Sequence, residues 1–261
     1  MSAPVPGASG PQRLDAPAKL TLSLRITGVR DDGYHLIDAE MVELELTDEL
    51  TIDPAREGLG ADGPFSAGMP LDGSNLVARA LVLAGRRAHV HVHKRIPHGG
   101  GLGGGSADAA AVLRWAGCTD LVAASRLGAD IPFCLIGGRA RVEGIGEVLT
   151  PLPPVALDLT LVVPPLAVST PAAYRAWDEL VATGWTPPSG TVNELEDAAI
   201  RVEPRLAGWR DAIAAVTGVA PVLAGSGATW FLRGHHPALV DALPAATVVL
   251  TRTRDGRDVR P

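Results

Sequence analysis

Pro97-His98-Gly99-Gly100-Gly101-Leu102-Gly103-Gly104-Gly105-Ser106-Ala107 carries more information than any other part of this 261-residue chain. Residues 88–95 before it alternate as a short strand would, and the alanine-rich residues 108–116 after it read as a helix. Glycine reaches positive φ and lets the backbone approach a ligand closely, while its N–H groups stay available as donors. A helix that opens directly after such a bend adds unpaired N–H groups and partial positive charge, with Ser106 or Asp108 as its expected cap. Bend and helix start together suit an anion, above all a polyphosphate. The competing interpretation is a plain turn feeding a buried helix. Glycine costs about 0.5–1 kcal/mol relative to alanine in regular structure, so one or two would be enough for that purpose.

Two familiar phosphate loops are excluded. No Gly-Lys-Ser or Gly-Lys-Thr occurs, which removes the P-loop. Gly99, Gly101 and Gly104 match Gly-x-Gly-x-x-Gly, but residues 119–127, where a dinucleotide fold needs a second strand ending in an acid, read as a helix.

Composition narrows the class further. Hydrophobic residues make up 46% of the chain, enough for a sizeable core in one large or two modest domains. The net charge of −6 and the lack of a long basic stripe argue against nucleic acid as a partner. The apolar runs are too short to span a bilayer, and no secretion signal is visible, so no membrane role is expected. Cys118 and Cys134 lack paired metal spacing, and a cytoplasmic location is the simple assignment. Only Lys19 and Lys94 among the 23 basic residues are lysine, which hints at places where a compact ammonium is needed instead of a planar fork.

Residues 1–15 are rich in Ala, Pro and Gly and read as a disordered extension. Residues 18–27 alternate with Leu20, Leu22, Leu24 and Ile26 on one face, and residues 34–46 and 49–52 read as further strand after a turn at Arg30-Asp31-Asp32-Gly33. A helix is expected over 75–84, capped by Ser74 or Asn75. His89, His91 and His93 share one face of the next strand. A His-x-His strand can ligate zinc, but with no acidic or cysteine partner nearby in sequence the polar face of a strand is favoured. Asp130 stands where it would cap a helical turn opened by Pro132. A hairpin over 137–149, the break at Pro151-Leu152-Pro153-Pro154, a helix opened by Thr170-Pro171 and running to Val181, and an irregular alternation of strands and helices around it favour α+β.

Five motifs then occur in an order that resembles the GHMP kinases (galactokinase, homoserine, mevalonate and phosphomevalonate kinases). They are Pro17-Ala18-Lys19-Leu20, Asp32-Gly33-Tyr34-His35, the glycine bend, Gly128-Ala129-Asp130-Ile131-Pro132 and Gly225-Ser226-Gly227-Ala228. With Glu143-Gly144-Ile145-Gly146-Glu147, they resemble most the members that act on cytidine diphosphate-linked methylerythritol in non-mevalonate isoprenoid synthesis. The resemblance implies an α+β, two-domain fold with mixed and antiparallel sheets and the active site in the cleft between residues 16–152 and 153–261. It implies transfer of a phosphoryl group from ATP, with Mg2+ carried by the nucleotide, to the 2-hydroxyl of that small-molecule acceptor, by a monomer or weak homodimer.

By the same resemblance Lys19 and Asp130 are catalytic, and Asn75 joins residues 97–107 at ATP. Tyr34, His35, Thr170, Gly225, Ser226 and Gly227 face the acceptor. Two positions depart from the pattern: Thr21 replaces a common asparagine, and Thr191 stands where some members carry a second base-stacking aromatic. Two alternatives stand beside this reading. One is a kinase of the same family for homoserine or a mevalonate-type acid, which would ignore cytidine; the other is a nucleotide-binding protein without turnover.

Overall fold

The computed structural model describes residues 10–254. The frame is a long antiparallel hairpin of β1 (Gln12–Val29) and β2 (His35–Asp53), with Gln12 opposite Ile52 and Val29 opposite His35. Its turn is closed by Gly33 at φ +83° and by the Asp32 carboxylate, which accepts the Tyr34 N–H at 3.3 Å. The strand starts earlier than the sequence suggests: Gln12 to Asp15, expected within the disordered extension, pair with Glu49 to Ile52. Residues 1–9 of that extension lie outside the described residues. β2 is likewise one strand where two were expected. The register shifts at Pro17/Lys19 and Thr21/Ser23, and such irregularities turn side chains off the regular alternation. Lys19, Leu20 and Thr21 are consecutive and all buried.

β1 covers one edge of β2. The other edge carries β4 (His89–His93) near its end and β5 (Arg139–Gly144) near its start, and β3 (Gly58–Asp62) and β6 (Val148–Pro151) extend the sheet outward. β3 runs parallel to β4, and the remaining pairs are antiparallel. Helices α1 (Leu76–Leu83), α2 (Gly104–Trp115), α3 (Leu121–Ser125) and α4 (Ile131–Ile136) belong to the same half. α2 runs through the core with Ala107, Ala109, Ala110, Ala111, Val112 and Leu113 all buried. Its small side chains allow α1 and α4 to approach closely. It begins at Gly104, four residues before the expected start, and its N-cap is Gly103 in the left-handed region with no side-chain cap. Neither Ser106 nor Asp108 caps it.

The second half holds β7 (Asp158–Val163), α5 (Thr170–Ala182), α6 (Glu196–Val202), α7 (Arg205–Thr217), β8 (Val222–Leu223), β9 (Trp230–Arg233), α8 (Ala238–Ala242) and β10 (Thr247–Arg252). Its sheet has the order β10-β7-β9-β8, all antiparallel. One apolar cluster joins the halves, with Leu20, Leu22 and Leu44 of the first sheet against Leu159, Leu161 and Phe231 of the second. The architecture is α+β, as expected. Among the described residues, no helix is long and apolar enough to cross a membrane.

A buried charge cluster also ties the first half together. Lys94, just after β4, bonds Asp48 of β2 and lies 2.7 Å from Asp108 of α2, and all three side chains are nearly free of solvent. The second Asp48 oxygen accepts the N–H groups of Arg95 and Ile96 at 2.6 and 2.8 Å. Burial works against the Lys94 ammonium, but the two carboxylates outweigh it and hold its pKa above the ordinary value. Burial pushes the Asp108 carboxyl up to about 7 against the attraction of Lys94. A carboxyl raised in the folded state binds its proton there longer than in the unfolded chain. Its contribution to stability is therefore full below the ordinary carboxylate pKa near 3.8 and is lost as pH rises toward 7. Asp108→Asn removes that titration. Between pH 4 and 8 the urea midpoint of the wild type should fall relative to that of the variant; parallel profiles would contradict the assignment.

Candidate active site

The bend is shaped by what its glycines lack. Gly99, Gly101 and Gly103 have φ of +74°, +75° and +70°, a region most side chains avoid. Two of these positions also face close neighbours: a Cβ on Gly101 would lie 2.7 Å from the Ala224 carbonyl oxygen, and one on Gly103 would lie 2.7 Å from Cγ of Lys19. The bend closes over a cavity of about 240 Å3, whose lining includes Leu76, Lys94, Ile96 and the run from Pro97 to Ser106. With no side-chain cap on α2, the first N–H groups of the helix remain free beside it. A larger cavity of about 620 Å3, lined by Asp15, Glu45, Arg252 and Arg254 among others, contains none of the candidate residues.

Lys19 and Asp130 meet at this bend. The backbone N–H of Lys19 donates to the Leu102 carbonyl at 3.0 Å, and its Nζ lies 3.2 Å from Asp130 Oδ2 and 3.2 Å from Thr21 Oγ1. Thr21, in place of asparagine, thus still supplies an acceptor to the ammonium. Asp130 holds the N-cap position of α4 but makes no side-chain cap bond, so its carboxylate points to Lys19 instead of capping. The lysine side chain is 6% exposed and the aspartate 31%, which leaves the carboxylate reachable. The loop before Asp130 is fixed by the β5–β6 hairpin: Gly146 packs so tightly on Ala129 that a Cβ would lie 2.6 Å from its carbonyl oxygen. Cys134, on the next helical turn, is fully buried, and burial pushes its thiol far up, which makes it a poor nucleophile.

The second glycine turn comes to the same place. Thr229 donates its N–H to the Gly100 carbonyl at 3.3 Å, and Gly225 packs beside Thr21. Asn193, which the sequence reading did not single out, bonds the carbonyls of Leu223 and Gly225 through Nδ2 at 2.8 and 2.7 Å. Thr170 at the start of α5 shares a 2.8 Å hydrogen bond with Ser226. Asn75 plays a local part: its carboxamide accepts the Val77 N–H at 2.8 Å and donates to Pro70 at 2.6 Å, which fixes the start of α1. Its neighbour Leu76 lines the cavity, and Asn75 does not.

His35 and Tyr34 differ in setting. The Tyr34 ring is exposed, while His35 is held by Asp178 at 2.7 Å, with Tyr174 at 4.7 Å and Trp177 edge-on at 5.7 Å between ring centroids. Burial, helped by the charge of Asp130, pushes Tyr174 up to about 12, so it stays a neutral phenol. Thr191 brings no aromatic here; the rings beside His35, Tyr174 and Trp177, come from α5. Thr170-Pro171 announced that helix; the face it would turn to His35 was not evident from periodicity. The histidine strand behaves as a polar face: Asp62 on β3 lies 2.6 Å from His93 and 3.4 Å from His91, and chiefly the His93 bond holds its carboxyl below the ordinary range. Among the described residues, no group of three His, Cys, Asp or Glu side chains is set to hold a metal.

Comparison with known proteins gives the family. Residues 75–138 match the GHMP kinases N terminal domain. A 4-diphosphocytidyl-2-C-methyl-D-erythritol kinase of Paracoccus denitrificans is 41% identical over 246 residues, covering 84% of this chain and 86% of that one. A kinase of the same name from Ruegeria pomeroyi is 38% identical, covering 83% and 86%. A crystal structure of 4-(cytidine 5'-diphospho)-2C-methyl-D-erythritol kinase superposes with a TM-score of 0.72 at 33% identity, covering 93% of this chain and 99% of that one. The chain belongs to the GHMP kinases, in the 4-diphosphocytidyl-2-C-methyl-D-erythritol kinase family.

Proposed function

We propose that this kinase transfers the terminal phosphoryl group of ATP to the 2-hydroxyl of 4-diphosphocytidyl-2-C-methyl-D-erythritol, the compound in the names of its relatives. The observation that carries the reading is the 3.2 Å Lys19–Asp130 pair standing against a glycine bend whose helix has no side-chain cap. The triphosphate would lie along the bend and the free N–H groups of α2, between residues 97 and 107, with Asn75 setting the α1 wall. The acceptor hydroxyl would lie by Asp130. As its oxygen bonds to the γ-phosphorus, its proton passes to the Asp130 carboxylate and the bond to the ADP oxygen breaks. The Lys19 ammonium stands where negative charge builds on the transferred group. Magnesium would enter with the nucleotide and would supply neutralisation of charge on the phosphates. Thr170, Gly225, Ser226 and Gly227 would border the acceptor, and Tyr34 and His35 would receive the cytosine, His35 oriented by Asp178 and backed by Tyr174. The joint between the two halves, residues 16–152 and 153–261, is then where both substrates meet, in a cytoplasmic protein.

ADP release with this acceptor tests the reading. Asp130→Asn and Lys19→Met should each lower turnover by about 10²–10⁴-fold while ATP binding stays within a few-fold of wild type. Substantial turnover by Asp130→Asn would remove it as the base. For the cytosine end, His35→Ala should raise the KM for the acceptor about tenfold and leave the KM for ATP unchanged. Equal effects on both substrates would place His35 in the general fold.

A further inference from the structure

Lys94 touches neither of the groups proposed to react, yet it lies beneath the bend. Its Nζ would stand 3.3 Å from a Cβ on Gly104, the first residue of α2, and it lines the cavity under the glycines. Asp48 holds this ammonium with one oxygen and the N–H groups of Arg95 and Ile96 with the other, so the chain is clamped as it enters the bend. Asp108 holds the same ammonium from α2, so the chain is clamped again as it leaves. Helix stability does not account for the arrangement, because a cation at the positive end of a helix opposes the helix dipole. Hydrogen-bond satisfaction does not account for it either: Asp108 Oδ1 is buried with no partner. What the ammonium does join is the two ends of the bend, through Asp48 and Asp108.

We infer that Lys94 is a positioning residue for the phosphates of the nucleotide. Pinned by Asp48 and Asp108, it fixes the span of the bend beneath the first turn of α2. The inference rests on the ATP reading above, but it concerns phosphate binding and not the identity of the acceptor. Its dependence should therefore appear with ADP and not with adenosine.

The chain has only two lysines, so lysine-selective 15N labelling gives two side-chain ammonium signals, assigned with Lys19→Met. In the wild type, the Lys94 signal should move on addition of magnesium-ADP and stay in place with adenosine. A signal unmoved by magnesium-ADP overturns the inference. Lys94→Met leaves two carboxylates without their cation, so Lys94→Met with Asp108→Asn, in which Asp48 keeps the Arg95 and Ile96 N–H groups, is the companion variant. In the folded double variant, the Kd for magnesium-ADP and the KM for ATP should rise about tenfold or more, with adenosine affinity and acceptor KM within about twofold. Wild-type affinity for magnesium-ADP in the double variant, or equal losses for adenosine and acceptor, would overturn it. Failure of the wild type to phosphorylate the methylerythritol acceptor while these ADP results hold would count against the acceptor assignment alone.

Discussion

The contact between β1 and the glycine bend governs the rest of the site. The Lys19 N–H donates to Leu102, and the aliphatic stem of the same lysine lies against Gly103. A backbone this close to a buried side chain tolerates no Cβ, so glycine at this place leaves room for the lysine beside it. The strand irregularity at Pro17/Lys19 allows Lys19 and its neighbours to be buried in succession. Moving either partner would separate the ammonium from Asp130, because Asp130 is fixed independently, through the β5–β6 hairpin and Gly146.

The second half of the chain acts on the same point. Ala224 and Gly227 pack on Gly101, Thr229 bonds Gly100, and Asn193 ties down the carbonyls on either side of Ala224. A shared apolar cluster backs these contacts, with Leu20 and Leu44 against Leu159 and Phe231. Burying such side chains is worth roughly 1.5–3 kcal/mol each, enough to hold two sheets in one register about the bend. The polar site is thus held by apolar packing behind it.

What could be read from the residues alone followed the range of the interactions. Alternation along β1 and β4, the glycine bend and the Thr170-Pro171 helix start are local patterns, and each element is present, with β1 extended beyond the expected residues 18–27. The early start of α2 was hidden because Gly104 and Gly105 are poor helix formers, and tertiary packing overrode that preference. Capping by Ser106 or Asp108 and by Asp130 was a reasonable local expectation that failed at all three, and for the two aspartates on long-range grounds: Asp108 is claimed by Lys94, just after β4, and Asp130 by Lys19 from β1. The aromatic and acidic company of His35 comes from residues about 140 positions away, which no periodicity reveals.

The scarcity of lysine takes on meaning in the same way. Arginine serves this surface well, as in the paired contacts of Arg141 with Asp38. The two lysines stand where a planar fork has no room: one with its stem on Gly103, the other between two buried carboxylates and close under Gly104. A guanidinium must place five donors in one plane, and a site walled by backbone on one side and carboxylates on the other cannot satisfy them. An ammonium meets the same anions as a compact charge. In both places the lack of a side chain on a glycine and the compactness of a lysine are matched, so bend and cation specify each other.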